Sequence, residues 1–134
     1  MQIDDKDIMI INELTINARE TASNIADSIG MSVPAVAERI KKLQDSGVIE
    51  GFSLNLNNQK IGMDVSAFIT IISESSDFFE EVVDKANLNL SVLNCYTTTG
   101  SGSHILYVRT ENTDSLEKLL REVQSWPGVK RTET

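Results

Sequence analysis

The chain has 134 residues, 40% of them hydrophobic and 24% charged, enough apolar material for one packed domain or two small ones. No stretch approaches the roughly 20 apolar residues of a membrane helix, and the acidic start Asp4-Asp5-Lys6-Asp7 is unlike a secretory signal. The single cysteine, Cys95, excludes an internal disulfide and a cysteine-based zinc site, so the expectation is a cytoplasmic protein away from membranes, without metal or cofactor.

The net charge of −8 argues against a broad nucleic-acid surface, because duplex DNA is usually met by Lys and Arg. Residues 1–60 carry six basic against nine acidic side chains, and the remainder six against eleven. Placement matters more than the total: Arg39, Lys41 and Lys42 fall within four residues of one another.

In chain order, Asp4 to Leu14 predicts a first helix, with Asp4 or Asp5 at its cap and Asp7 at the positive end of the dipole. Ile8, Ile11 and Leu14, with Ile10 beside them, supply its apolar stripe. Thr21 suits the cap of a second helix that buries Ile25, Ala26 and Ile29 and stops at Gly30. Ser32 then caps a third helix, with Pro34 in the first turn, where its missing N–H does no harm. Val36, Ile40 and Leu43 line its inner face, and Gly47 ends it. A connection of about three residues containing glycine is the spacing of a helix-turn-helix.

From Val48 to Leu56 the apolar period drops to two, which predicts an extended segment, and the polar stretch from Asn55 to Asp64 reads as a connector. Val65–Ser73 then has the composition of a strand. Phe79, Val82, Val83 and Ala86 make a helical stripe, Ser91–Thr99 a second strand, Gly100-Ser101-Gly102-Ser103 a turn, and His104–Thr110 a third strand. Leu116, Leu119, Leu120 and Val123 form another helical stripe, capped by Thr113 or Asp114. Trp126-Pro127-Gly128 turns the chain into a final strand from Val129. The order βαββαβ is that of a ferredoxin-like sandwich.

Several stretches, in this order and spacing, carry a family likeness. They are Asp4-Asp5-Lys6-Asp7-Ile8, Met31-Ser32-Val33-Pro34, Glu38-Arg39-Ile40-Lys41-Lys42-Leu43 and Gly47-Val48-Ile49-Glu50-Gly51-Phe52. Later come Lys60-Ile61-Gly62, the Gly100 loop and Pro127-Gly128-Val129-Lys130-Arg131-Thr132. With them the chain resembles, over nearly its whole length, the Lrp/AsnC family of leucine-responsive and asparagine-responsive regulators. The resemblance implies an α+β chain: a winged helix-turn-helix over 1–52, a connector over 53–62, and a ferredoxin-like βαββαβ sandwich over 63–134. It also implies a transcription regulator of double-stranded DNA, sheet-to-sheet homodimers assembling into higher homo-oligomers, and amino-acid effectors bound between subunits. Two features depart from the pattern. An acidic residue is common in the loop after the glycine matching Gly100, whereas here the loop reads Ser101-Gly102-Ser103-His104. The chain also ends at Thr134, so the last strand is expected to be short.

On the third helix, 100° per residue turns Ala35, Glu38 and Lys42 away from the core, with Pro34 and Lys41 flanking them and Arg39 at the boundary. The N-terminal part of a recognition helix touches base edges. Pro34 and Ala35 therefore suit a thymine methyl, and Glu38 a cytosine amino group. Ser32, Arg39 and Lys42 suit phosphates, and Lys41 is a flanking DNA-binding candidate. The competing readings are a salt bridge from Arg39 to Asp45 or to an acid of the first helix, and a merely solvated face for Lys41 and Lys42.

Gly100, Ser101, Gly102, Ser103 and His104 are effector-binding candidates through the resemblance; an ordinary hairpin turn is the alternative. The loop lacks the third glycine of a dinucleotide site and the lysine of a P-loop. A Ser-His-Asp set drawn from Ser101 or Ser103 lacks a nucleophile elbow, so no catalytic residue is expected and His104 reads as exposed or at a strand edge. Cys95 reads as a packing residue and Trp126 as a cover for the core. Two other functions compete: a DNA-silent sensor that only hetero-oligomerises, and an enzyme like the sirohaem decarboxylases, for which one histidine is too few.

Overall fold

A computed structural model of the chain describes residues 2–134. They divide into two compact units, one ending at Asn55 and the other beginning at Leu56.

The first unit is a three-helix cluster. Helix α1 (Asp5–Ile16) begins at a capping box in which Asp4 accepts from the Asp7 N–H at 2.9 Å and Asp7 accepts from the Asp4 N–H at 3.1 Å. Helix α2 (Ala22–Ile29) is capped by Thr21 and ends at Gly30, whose φ of 71° is the left-handed conformation that glycine tolerates best. Lys6 reaches across from α1 to donate to the Ile29 carbonyl at 2.8 Å, satisfying one of the free acceptors at the end of α2. Helix α3 (Val33–Asp45) starts at Ser32, with Pro34 in its first turn.

Ile10, Ile25, Ala26, Val36 and Leu43 form the buried centre of this unit, with Ile11, Leu14, Ile29, Ile40 and Ile49 packed around them. The expected stripe of α1 is corrected here. Ile8 is 48% exposed and Ile10 fully buried, so the inner face runs Asp7, Ile10, Ile11, Leu14. Four consecutive apolar residues, Ile8 to Ile11, left its angular position open until α2 and α3 fixed it. Beyond α3, residues 51–57 have no regular secondary structure, and Phe52, Leu54 and Leu56 are exposed. The period-two pattern is present, but among the described residues no strand pairs with it.

The second unit follows the expected βαββαβ order: β1 (Val65–Ser73), α4 (Phe79–Leu88), β2 (Val92–Thr97), β3 (His104–Thr110), α5 (Thr113–Ser125) and β4 (Val129–Glu133). The antiparallel sheet has the order β2-β3-β1-β4. One face is covered by the two helices, where Ile69, Ile71, Leu106 and Val108 meet Val82, Ala86, Leu119, Val123 and Trp126. The cap of α5 is Asn112, whose side chain accepts from the Ser115 N–H at 2.8 Å, instead of Thr113 or Asp114. Three adjacent residues each carry a capping oxygen, and backbone geometry selects the first of them.

Candidate nucleic-acid and effector sites

Helix α3 is anchored from one side only. Val36 and Leu43 are fully buried, while Ser32, Val33, Pro34, Ala37, Glu38, Lys41 and Lys42 are exposed. Glu38 and Lys42 face each other at 3.1 Å, one turn apart, and both are about two-thirds solvated (66% and 64% side-chain exposure), so solvent screens the pair. Ser32 spends its hydroxyl oxygen on the Ala35 N–H, 3.3 Å away, and fixes the start of the helix. Ala35 is half-buried, on the flank nearer α1. Val33 was missed by sequence reasoning because an apolar residue reads as core. Its place in the first turn, ahead of the buried Val36, is the signal that could have found it.

Arg39 is turned to α1. Its Nη1 lies 2.7 and 2.6 Å from the two carboxylate oxygens of Asp4 and 3.1 Å from Asp7 Oδ1. The structure thus favours the salt-bridge reading over the phosphate one, with acids of the first helix and not Asp45 as partners. Asp7 is almost wholly buried, and Arg39 balances its charge. Hydrogen bonds from the Arg39 guanidinium and the Asp7 N–H hold the Asp4 carboxyl at about 2, below its ordinary 3.8.

A carboxyl group whose pKa is lower folded than unfolded adds stability that is complete above the unfolded value and is lost as pH falls through the folded one. The first unit is therefore expected to weaken as pH drops from 3.8 to about 2. In circular-dichroism melts, Asp4→Asn should flatten this part of the profile. An unchanged acid slope would deny Asp4 that role.

In the second unit the loop after β2 closes a small cavity of about 230 Å³, whose wall includes Ser73, Ser75, Ser76, Phe79, Thr98 and Gly100 to Ser103. Gly102 packs so tightly that a Cβ there would come within 2.5 Å of the Thr70 methyl group. Ser73, Ser75 and Ser76 were not picked out from sequence; a run of small polar residues directly after a strand was their signal.

His104 corrects its expectation, since it is fully buried on a central strand and faces the helices. The alternation continues through Leu106 and Val108, in phase with it. Its Nδ1 lies 2.8 Å from Ser103 Oγ, and Phe79 packs against its ring edge-to-face at 5.0 Å. Burial pushes its pKa below the ordinary value, favouring the neutral ring. Ser103 and His104 do meet, but both are buried, and among the described residues no acid orients the second ring nitrogen as a catalytic triad requires. Ser101 is exposed. Cys95 is half-buried, its thiol pKa raised by burial, and Trp126 is buried against the core as expected. No helix among the described residues is long and apolar enough to cross a membrane.

Comparison with known proteins agrees with this geometry. Residues 3–50 match the family model for winged helix-turn-helix DNA-binding domains, and residues 66–134 that for the Lrp/AsnC ligand binding domain. The chain is 30% identical over 132 residues to the HTH-type transcriptional regulator LrpA of Mycobacterium tuberculosis, covering 98% of this chain and 88% of that protein. It is 33% identical over 133 residues to the regulatory protein AsnC of Haemophilus influenzae, covering 98% and 89%. Among solved structures, M. tuberculosis LrpA superposes with a TM-score of 0.86 at 30% identity, covering 98% of this chain and 89% of that one. Escherichia coli AsnC superposes with a TM-score of 0.81 at 28% identity, covering 99% and 90%. The chain belongs to the Lrp/AsnC family, and it is a DNA-binding transcription regulator that carries a ligand-binding domain.

Proposed function

We propose that this regulator reads a palindromic DNA site as a homodimer, with α3 in the major groove, and answers to a small molecule held in its second unit. The observation that carries the DNA reading is the one-sided anchoring of α3, whose outer face from Val33 to Lys42 stays open to solvent. Pro34 and Val33 present apolar surface for a thymine methyl, with Ala35 at the edge of the same tip. Glu38 is placed to accept from a cytosine amino group. Lys41 and Lys42 lie further along the helix for phosphates, joined by Ser32 at its start. Arg39 acts through Asp4 and Asp7, setting the angle between α3 and α1 and leaving phosphate contacts to the lysines.

A dimer supplies the reach that one short helix lacks, since two recognition helices about one DNA turn apart read two half-sites. The sheet face that carries the exposed Phe68 and Tyr96 and the half-buried Tyr107 supports sheet-to-sheet pairing of two copies, from which larger homo-oligomers are built. The loop cavity walled by Gly100 to Ser103, with His104 lining the cavity beside it, supports an effector site, with an amino acid as the ligand the family suggests. Such a ligand alters DNA binding by favouring one assembly over another. The setting is the cytoplasm, and the role is binding without catalysis.

Binding curves across a salt series test the DNA reading. Lys42→Ala should weaken binding to every sequence and lower the salt slope by about one, as for one lost phosphate contact. Glu38→Ala should instead change the preference among sites. An unaltered slope in the first variant, or uniform weakening in the second, would remove that residue from its role.

A further inference from the structure

A second cavity lies beside the loop, with Phe79 lining both. It has a volume of about 340 Å³ and is bounded by Phe79, Glu80, Val83 and Asp84 of α4, Thr97 of β2 and His104 of β3. His104 is fully buried, and its Nε2 has no hydrogen-bond partner among the described residues. A buried polar nitrogen left unpaired is costly, which points to a ligand that satisfies it.

Two tautomers of His104 fit the hydrogen bonds around Ser103, and one of them makes this nitrogen an acceptor. Ser103 Oγ has one proton, and the Ile71 carbonyl oxygen 3.3 Å away can only accept it. When it is donated there, Ser73 Oγ at 2.6 Å and His104 Nδ1 at 2.8 Å donate to Ser103. In that tautomer Nδ1 holds the ring proton and Nε2 presents a lone pair. With the carboxylates of Glu80 and Asp84 on the same cavity, its charged groups are acceptors. Neither cavity is lined by a lysine or arginine that would meet a carboxylate. Among the described residues no three His, Cys, Asp or Glu side chains come close enough to share a metal ion.

We propose that this cavity binds a small organic amine without a carboxylate, its ammonium groups facing Glu80 and Asp84 and one of them donating to His104 Nε2. The proposal rests on the effector reading of the second unit and gives that effector a chemical class.

Calorimetric titration of the full chain with 1,5-diaminopentane and with lysine tests it, because the two differ only by a carboxylate. The diamine should bind at least about tenfold more tightly than lysine, as expected when a carboxylate is brought against two uncompensated acids. Glu80 and Asp84 are exposed, so Glu80→Gln with Asp84→Asn leaves the core intact; it should weaken diamine binding by about tenfold or more. Glu81→Gln, a neighbouring charge outside the cavity, should not. Equal or tighter binding of lysine, or the same affinity in both variants, would overturn the proposal. A thermal-shift panel of the twenty amino acids run in parallel separates the two readings. Stabilisation by an amino acid but by no diamine ends the amine proposal and leaves the effector reading standing; stabilisation by neither ends both.

Discussion

Leu43→Ala is expected to abolish DNA binding while the second unit stays folded. Leu43 is fully buried on the inner face of α3, in the cluster with Ile10, Ile25, Ala26 and Val36. Removing a buried leucine side chain to its Cβ costs about 2–5 kcal/mol, the loss of transfer free energy plus that of the cavity left behind. A domain of this size holds only a few kcal/mol in all, at roughly 0.05–0.15 kcal/mol per residue. The substitution therefore removes most of what keeps α3 seated on α1 and α2. Ile69, Leu106 and Val123 belong to a separate core, so the second unit should melt at its usual temperature. Calorimetry would show the first transition lost and the second retained, and fluorescence anisotropy would show no DNA binding. Leu90→Ala is the control, since that side chain is 98% exposed and should change neither. DNA binding kept at wild-type affinity in Leu43→Ala would mean that α3 is not held by this core.

What the sequence revealed was mostly local. Thr21, Ser32 and Gly30 bracket α2 and α3 because capping and left-handed turns depend on residues one to three positions apart. The strands β1 and β3 were legible from end to end, since alternation and β-branched residues mark a half-buried pleat. The misses were matters of tertiary placement. Arg39 reads in sequence as a phosphate contact, with a salt bridge to an acid of the first helix as the alternative, because Asp4 lies 35 positions away in the chain and only the fold brings the two together. His104 looked like an edge residue because its type outweighed its phase with Leu106 and Val108. The apolar alternation of Phe52, Leu54 and Leu56 was visible, yet a strand needs a neighbour, and the described chain offers none there. The candidate α3 face followed from helical geometry alone, whereas the loop residues entered through the family likeness and the second cavity through neither.

Phe68→Asp is expected to convert the protein to a monomer and to cost most of its affinity for a palindromic site. Phe68 is 62% exposed on the sheet face opposite α4 and α5, packed against Tyr107 with the rings tilted and their centroids 5.1 Å apart. In register they are cross-strand neighbours, and Tyr96, at 52% exposure, pairs with Ile105 one row away. Burying one such side chain yields about 1.5–3 kcal/mol. In a symmetric pair each substitution acts twice, and it also brings two carboxylates into an apolar contact. A loss of at least about 4 kcal/mol follows, roughly a thousandfold in dimer affinity. DNA affinity falls with it, because the second half-site is then no longer bound at the high effective concentration that a tethered helix provides. Sedimentation should give the monomer mass, and the melting of the second unit should barely move, since Phe68 lies outside its core. A variant that sediments like the wild type would show that the copies meet elsewhere. A monomer that still binds the palindrome at full strength would show that one recognition helix suffices.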